Sequence, residues 1–583
     1  MKSKHTNRNG SSWEMNVLKQ TNPMINYADV SLGARLTAHS PEREAPNGFA
    51  AAITPVLAHE DKQWHYAAAD RPVPNGASED EFEVDLGREV EIRELAIEWY
   101  ADTEAGIEFR LEAKQQDTWV ECVHETRGHK KLNASQYQTT LKPTVRARFF
   151  RYRQTKALGQ NRLLIRQFQL WGPGKPPKRV LMVAPDCFMI DRRILQQART
   201  LIEHGCRVTL VSGFECPQEA HYFQDGVEIH RFQYDWDDER LKKIRAKLPE
   251  NDRLRMFVNR AFLAIARRCL PLSPFDLFAL TQACQFPADV VHIHDLPCLK
   301  YGTRLAAQWG VPLVFDAHEI YYEQECLPPR QQRALKRQER RGARHVDLFI
   351  TVNQAIADWY ADRYGIKPMV LMNCADGPTK IFGNEQRRGL RDKAGLPHEA
   401  RVVLYQGWIS SERNITTLVQ AAEFLPDDAY LVLIGYGEHE QHLRSLADGQ
   451  PWADKVRFLG RVEPDEILGL TAGADVGVIP YQPIDLNHKL CSPNKFFEYV
   501  QTGVPVVAED LVFFREMAER YGVVALGRLA TPQGMADTIN GLLADPNRLE
   551  IMRHACNEAA QTLNWQTEGN KLIQAYKTIL ADA

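Results

Sequence analysis

From residue 179 onward the chain repeats one pattern: a short, continuously apolar run, a polar residue at its end, then a helical segment. "RVLMVAP", "RVTLVSG", "DVVHIHD", "PLVFDAHE" and "DLFITVN" form one series; "RVVLYQG", "YLVLIGYG", "VRFLG", "ADVGVIPY" and "PVVAED" form a second. A strand that is apolar at every position has both faces out of water, and such strands belong to parallel sheets covered by helices on both sides. The expected architecture is therefore α/β, with two tandem Rossmann-like domains facing across a cleft at residues 179–382 and 383–564. A C-terminal helix at about 565–583 is free to pack back on the first of them. Ligands of open parallel sheets sit beyond the carboxyl ends of the strands. That rule singles out Asp186, His294 with Asp295, His318 with Glu319, Gly407 through Arg413, Gly435 with Gly437, and the stretch "CSPNKFFEYVQTGVPVVAED" at 491–510.

The preceding residues have a different period. Phe82, Val84 and Leu86 alternate with polar residues, as do Leu95, Ile97 and Trp99, and then Ile107, Phe109 and Leu111. Short alternating strands parted by Gly, Pro and Asn predict a β-sandwich over 22–172. Residues 1–21 read as a flexible N-terminus, and "GPGKPPK" at 172–178 reads as a turn-rich join whose residues 173–178 form the linker. The aromatic side chains of this segment, Trp64, Tyr66, Trp99 and Trp119 among them, are expected in its core.

A chain of 583 residues, 44% hydrophobic and 25% charged, is an ordinary globular composition with room for several cores. Its net charge of -3 exerts no general pull on nucleic acid or anionic membrane, so no nucleic-acid partner is expected. The 11 cysteines are an odd number without CxxC spacing, which fits a reducing compartment. With no leader and no spanning segment, the expected location is cytoplasmic, with peripheral membrane contact through the basic segments 240–268 and 330–345.

Within 491–510, Ser492 reads as an N-cap, Pro493 as the first helical residue and Gly503 as the stop. Free N–H groups at such a helix start suit an anion. Lys495 and Glu498 stand out because the join is otherwise apolar; a solvated helix face is the competing account. Asn494 reads as a capping partner or a ligand, and Cys491 as a small apolar filler.

The stretches "VHIHD", "FDAHE", "YQGWISSERN", "LIGYGEHEQHL", "VRFLGRV", "ADVGVIPY" and above all "LNHKLCSPNKFFEYVQTGVPVV" together resemble the retaining GT-B glycosyltransferases of family 4, over about residues 178–580. The resemblance implies that Glu498 holds the ribose of a nucleoside diphosphate sugar. Arg413 and Lys495 would meet its diphosphate, and His318 would lie near the reacting centre. Gly407, Gly435, Gly437, Ser492, Pro493 and Asn494 would shape the donor site. It implies UDP or GDP as the donor base, no other cofactor and no metal. Asp186, Asp191 and Arg192, after the first strand, read as contacts to the acceptor or to phosphates or, for Asp191, as a helix cap. Three departures matter: Leu490 stands where the family often has a glutamate, leaving sugar contacts to backbone, Asn487 or His488. "PDCFMID" replaces a glycine pair, and Trp408 replaces a second basic residue. Residues 22–172 resemble a discoidin-type (F5/8 type C) jelly roll through "NYADVSLGARLTAHS", "FEVDLGREVEIRELAIEW", Trp119 and "IRQFQLWG", and would hold a glycan.

The implied activity is retaining transfer of a sugar from a nucleoside diphosphate to a glycan or lipid-linked glycan in bacterial surface polysaccharide synthesis. A GT-B nucleotide-sugar epimerase and a non-catalytic glycan-binding protein are the alternatives.

Overall fold

The structure is a computed structural model that describes residues 24–26, 35–38, 80–99, 106–126, 136–157, 165–174, 176–185, 190–234, 273–323, 327–376, 384–463 and 466–581. Asp186, Trp64, Tyr66 and the basic segment 240–268 lie outside the described residues. The chain divides into two compact units: residues 1–182, 186–271 and 281–289 in the first, and 183–185, 272–280 and 290–583 in the second.

The first unit holds a seven-stranded antiparallel sheet. Its neighbours run Met24–Asn26, Ile165–Pro173, Asp80–Trp99, Gln136–Ala157, Gly106–Gln115 and Thr118–Thr126, with Arg35–Ala38 also pairing Asp80–Trp99. The period of two works as anticipated. Phe82, Val84, Leu95, Ile97, Phe109 and Leu111 fall on one buried face, while Glu83, Glu112, Arg151 and Arg153 pair on the other. Trp99 is a core residue whose Nε1 donates to Gln154 at 3.0 Å, and Trp119 lies under the Arg151 guanidinium. This unit also holds the strands Glu215–Gln224, Val227–Gln233 and Cys206–Ser212 and residues 178–182 of the strand Lys178–Ala184, neighbours in that order. The helix Arg192–Glu203 starts at Asp191, whose carboxylate accepts from the Arg193 N–H at 2.8 Å. Asp191 is thus a cap, which satisfies one of the free donors of a helix start.

The second unit contains parallel strands Val290–His294, Leu313–Ala317, Leu348–Thr351 and Met369–Val370, in that order. It also contains a six-stranded parallel sheet ordered Val456–Gly460, Ala429–Ile434, Arg401–Gln406, Val476–Ile479, Val506–Glu509 and Val524–Gly527. Successive side chains of one strand feed opposite layers: Val402 and Leu404 enter one apolar cluster, Val403 and Tyr405 the other. That is why these strands are apolar throughout.

The last helix, Trp565–Ala581, returns to the first of these two strand sets. The Tyr576 hydroxyl lies 2.7 Å from Nδ1 of His292, and Glu568 accepts from the Met372 N–H at 2.9 Å. All cysteines among the described residues are free thiols. No helix among the described residues is long and apolar enough to cross a membrane.

Candidate active site

The helix Asn494–Gln501 sets the geometry. Phe496, Phe497, Tyr499 and Val500 drive it into the apolar cluster, and the Tyr499 hydroxyl donates to the carbonyl of Leu404 at 3.0 Å. Gly503 ends it in the left-handed region at φ 72, where a side chain is disfavoured. The start differs from expectation. Pro493 is the N-cap and the helix begins at Asn494, so Ser492 is not the cap. The buried Ser492 hydroxyl instead accepts from Nδ2 of Asn353 at 3.1 Å, and the same amide donates to the Leu490 carbonyl at 2.7 Å. An extended Ser492–Pro493 pair leaves no turn in which the serine oxygen could reach back to the helix N–H groups. Asn494 is exposed.

Packing the apolar face carries Lys495 inward, and only 5% of it remains exposed. Its ammonium lies 4.0 Å from the centroid of the Tyr405 ring and donates to the Tyr481 hydroxyl at 3.2 Å. The same hydroxyl accepts from Nη1 of Arg413, at the end of the short turn Ser411–Arg413, at 2.7 Å. Among the described residues neither cation forms an ion pair. Burial, and next the charge of Arg413, hold the Lys495 amine well below the usual lysine range. Burial pushes the Tyr481 phenol up to about 12, so it stays neutral. A guanidinium and an amine therefore meet on one neutral oxygen, where charging the amine costs free energy until an anion arrives.

Glu498, one turn after Lys495, accepts from Nε2 of Gln406 at 2.5 Å, and the Gln406 carbonyl oxygen accepts from Thr471 at 2.7 Å. That chain fixes one carboxylate oxygen at the carboxyl end of the strand Arg401–Gln406. Gly407 follows with φ 117, and a Cβ there would stand 3.4 Å from the Lys495 ammonium. Gly435, at φ 143, is needed for a different reason: a Cβ would collide with the Gly407 carbonyl, as one on Gly437 would with that of Ile409. These two glycines let neighbouring loops pack backbone on backbone. Gly407, Arg413, Lys495 and Glu498 are thus brought together.

His318 belongs to a separate network on the other strand set. Its Nε2 lies 3.3 Å from Asp316 and 3.3 Å from Nδ1 of His294; its Nδ1 lies 3.4 Å from Asp295. Asp295 also accepts from the His318 N–H at 3.2 Å and sits at φ 60, a conformation unfavourable for a side chain. Asn487 clasps both backbone groups of Ile320, at 2.9 and 3.0 Å, and so ties the end of this network to the segment just before Ser492. Asn487 is thereby occupied. His488 is bonded to Asp485 at 2.9 Å. Cys491 donates to the His488 carbonyl, and burial pushes its thiol up to about 12, as a filler thiol should be.

Sequence reading missed Tyr481, Gln406 and Asn353. The signal for the first two was available: Gln406 ends an apolar strand, and Tyr481 lies two residues past the carboxyl end of another. Asn353, the N-cap of Gln354–Tyr364, carried no signal of its second role.

Comparison with known proteins agrees with this layout. A family model described as a glycosyl transferase 4-like domain matches residues 190–373, and one described as glycosyl transferases group 1 matches residues 400–545. A D-inositol 3-phosphate glycosyltransferase of Xylanimonas cellulosilytica is 25% identical over 49% of this chain and 71% of its own length. A phosphatidyl-myo-inositol mannosyltransferase of Mycobacterium leprae is 28% identical over 32% of this chain and 49% of its own. In fold, the chain is similar to Anabaena HepE, solved with UDP, at TM-score 0.52 and 16% identity over 69% of this chain and all of that one. The sucrose-phosphate synthase of Thermosynechococcus elongatus matches at TM-score 0.52 and 16% identity over 70% of this chain and all of that one. The chain is a glycosyltransferase of GT-B-like fold, in which a glycosyl transferase 4-like domain is followed by a group 1 domain.

Proposed function

We propose that the protein is a retaining glycosyltransferase that moves a sugar from UDP or GDP to a hydroxyl of a glycan or lipid-linked glycan in bacterial surface polysaccharide synthesis. The observation that carries this reading is the convergence of Arg413 and Lys495 on Tyr481, with no carboxylate in ion-pair contact with either among the described residues. A diphosphate supplies the missing charge, and Glu498, one turn away, suits two vicinal ribose hydroxyls. The name of the inositol-phosphate relative and the UDP in HepE support a nucleotide-sugar donor.

Catalysis follows from those charges. As the glycosidic bond breaks, negative charge builds on the leaving diphosphate, and preorganised cations stabilise it more than they stabilise the bound donor. Front-face substitution, with the leaving phosphate helping to take the proton of the incoming hydroxyl, accounts for retention. His318 orients at the reacting centre. The antiparallel sheet of the first unit is the discoidin-like domain of this reading and holds the acceptor chain.

A panel of UDP-, GDP-, ADP- and CMP-sugars, each run with and without acceptor glycans, tests the proposal. UDP or GDP release that rises with acceptor is expected, and EDTA should leave it unchanged because Arg413 and Lys495 do the work of a divalent ion. Sugar conversion without acceptor would identify an epimerase, and no release from any donor would leave a glycan-binding protein.

The proposed location is cytoplasmic with peripheral membrane contact. Of the two basic segments, 330–345 is described: it forms the helix Pro329–Gly342 and the turn after it, with Arg330, Arg333, Arg337, Arg340 and Arg341 exposed. Sedimentation with anionic liposomes at low salt, reversed as salt rises, is the expected result; no sedimentation at low salt refutes it.

A further inference from the structure

The first unit carries a side-chain cluster that sugar transfer does not use. The strands Glu215–Gln224 and Val227–Gln233 form a hairpin closed by Asp225 and Gly226 at φ 51 and 84. Two central residues at positive φ make the tight turn whose twist matches the flanking strands, and a two-residue loop fixes the register. Pairing then runs outward from Gln224 opposite Val227 until His221 stands opposite His230, with Glu228 two residues back on the same face.

The imidazole rings stack at 4.2 Å with an interplanar angle of 10°. Oε1 of Glu228 lies 3.0 Å from Nε2 of His230 and 3.5 Å from Nε2 of His221, and one donor atom from each residue falls within 4.8 Å of the others. Around a tetrahedral zinc ion with arms of about 2.0–2.1 Å, adjacent ligand atoms are roughly 3.3 Å apart. The two carboxylate–imidazole separations are thus already close to the edges of such a tetrahedron, and the two imidazole donors lie within 4.8 Å of each other.

The surroundings support the same reading. Thr209 and Arg207, on the neighbouring strand, approach the other carboxylate oxygen at 3.4 and 4.0 Å, which turns Oε1 toward the histidines. The Phe286 ring packs on His230 at 4.2 Å and holds it in place. The side chains of Glu228, His230 and His221 are 12, 15 and 27% exposed, a gradient that opens one side to solvent for entry and for a fourth, water ligand.

We propose that His221, Glu228 and His230 bind a divalent transition-metal ion of the zinc type, pinning the hairpin. Two imidazoles and one carboxylate favour zinc or cobalt over magnesium or calcium, which prefer sites built of oxygen alone. The ion serves the fold of this unit rather than the transfer step.

The test uses the full chain, stripped with chelator and titrated with cobalt(II), whose visible absorption reports a tetrahedral site. One equivalent should bind, zinc should displace it, and zinc should raise the Tm of the stripped protein. His221→Asn, on the exposed edge of the cluster, should weaken cobalt binding by more than the ~10–100-fold that loss of an outer partner of a metal ligand costs. Glu228→Gln should do the same and serves alone if the first variant does not fold. The His292, His294 and Asp316 trio is fully buried and keeps all its ligands in both variants. A cobalt spectrum that persists unchanged in either folded variant, or no spectrum from the unmutated chain, overturns the proposal.

Discussion

Replacing Lys495 by methionine should lower sugar transfer by about 10²–10³-fold, the range for removal of one preorganised group facing developing negative charge. The Tm should rise at the same time. A buried amine with Arg413 beside it and no carboxylate in ion-pair contact destabilises the unliganded fold, and a methionine of similar shape removes the charge while keeping the contacts with Tyr405 and Tyr481.

The same amine gives nucleotide binding a pH dependence with a definite sign. Its pKa is depressed in the free protein and raised when a diphosphate binds. Above the depressed value, binding must take up a proton, and affinity falls as pH rises by up to about tenfold per unit. Below that value the ammonium is charged in both states and contributes no slope. Calorimetry in buffers of unlike ionisation enthalpy measures the uptake directly. Lys495→Met should show none, and unchanged turnover with a lower Tm would sink the assignment.

Glu498→Ala should weaken UDP or GDP binding by about 1.5–3 kcal/mol, the usual loss for a hydrogen bond to a charged group, or roughly 10–150-fold. The stability loss should be small, because the apolar face of the helix is untouched and Gln406 is half of a polar pair at its edge. The ribose assignment is tested by a second ligand. The unmutated protein should bind the 2′-deoxynucleotide more weakly than the ribonucleotide, and the variant should bind the two alike. A preference that survives the substitution would place the ribose elsewhere.

The sequence sufficed for the architecture of the transferase body. Whether a strand has one or two buried faces is written in its period, as in "RVVLYQ" against "EFEVDLG", because each residue meets its own environment at a known angle. It also singled out Glu498 and Lys495, since charged groups in an apolar join need a reason to be there, and Arg413 as a residue beyond the carboxyl end of a strand. It did not place the helix start. Ser492 has the composition of an N-cap, and only its contact with Asn353, 139 positions away, shows where its hydroxyl is used.

Other features arose only from the tertiary structure. Gly435 reads like any turn glycine until the Gly407 carbonyl is found against it. His318 is a lone histidine until two parallel strands bring Asp316 and His294 to it. The unpaired state of Lys495 is the clearest case. The sequence determined that a cation stands one turn before Glu498, because helix geometry is local. Whether that cation meets an acid or another cation depends on Arg413 and Tyr481, which reach it from loops 82 and 14 positions away. Electrostatic partners act over a few ångströms of space without regard to chain separation, so the charge balance of this site was settled only when its strands were packed side by side.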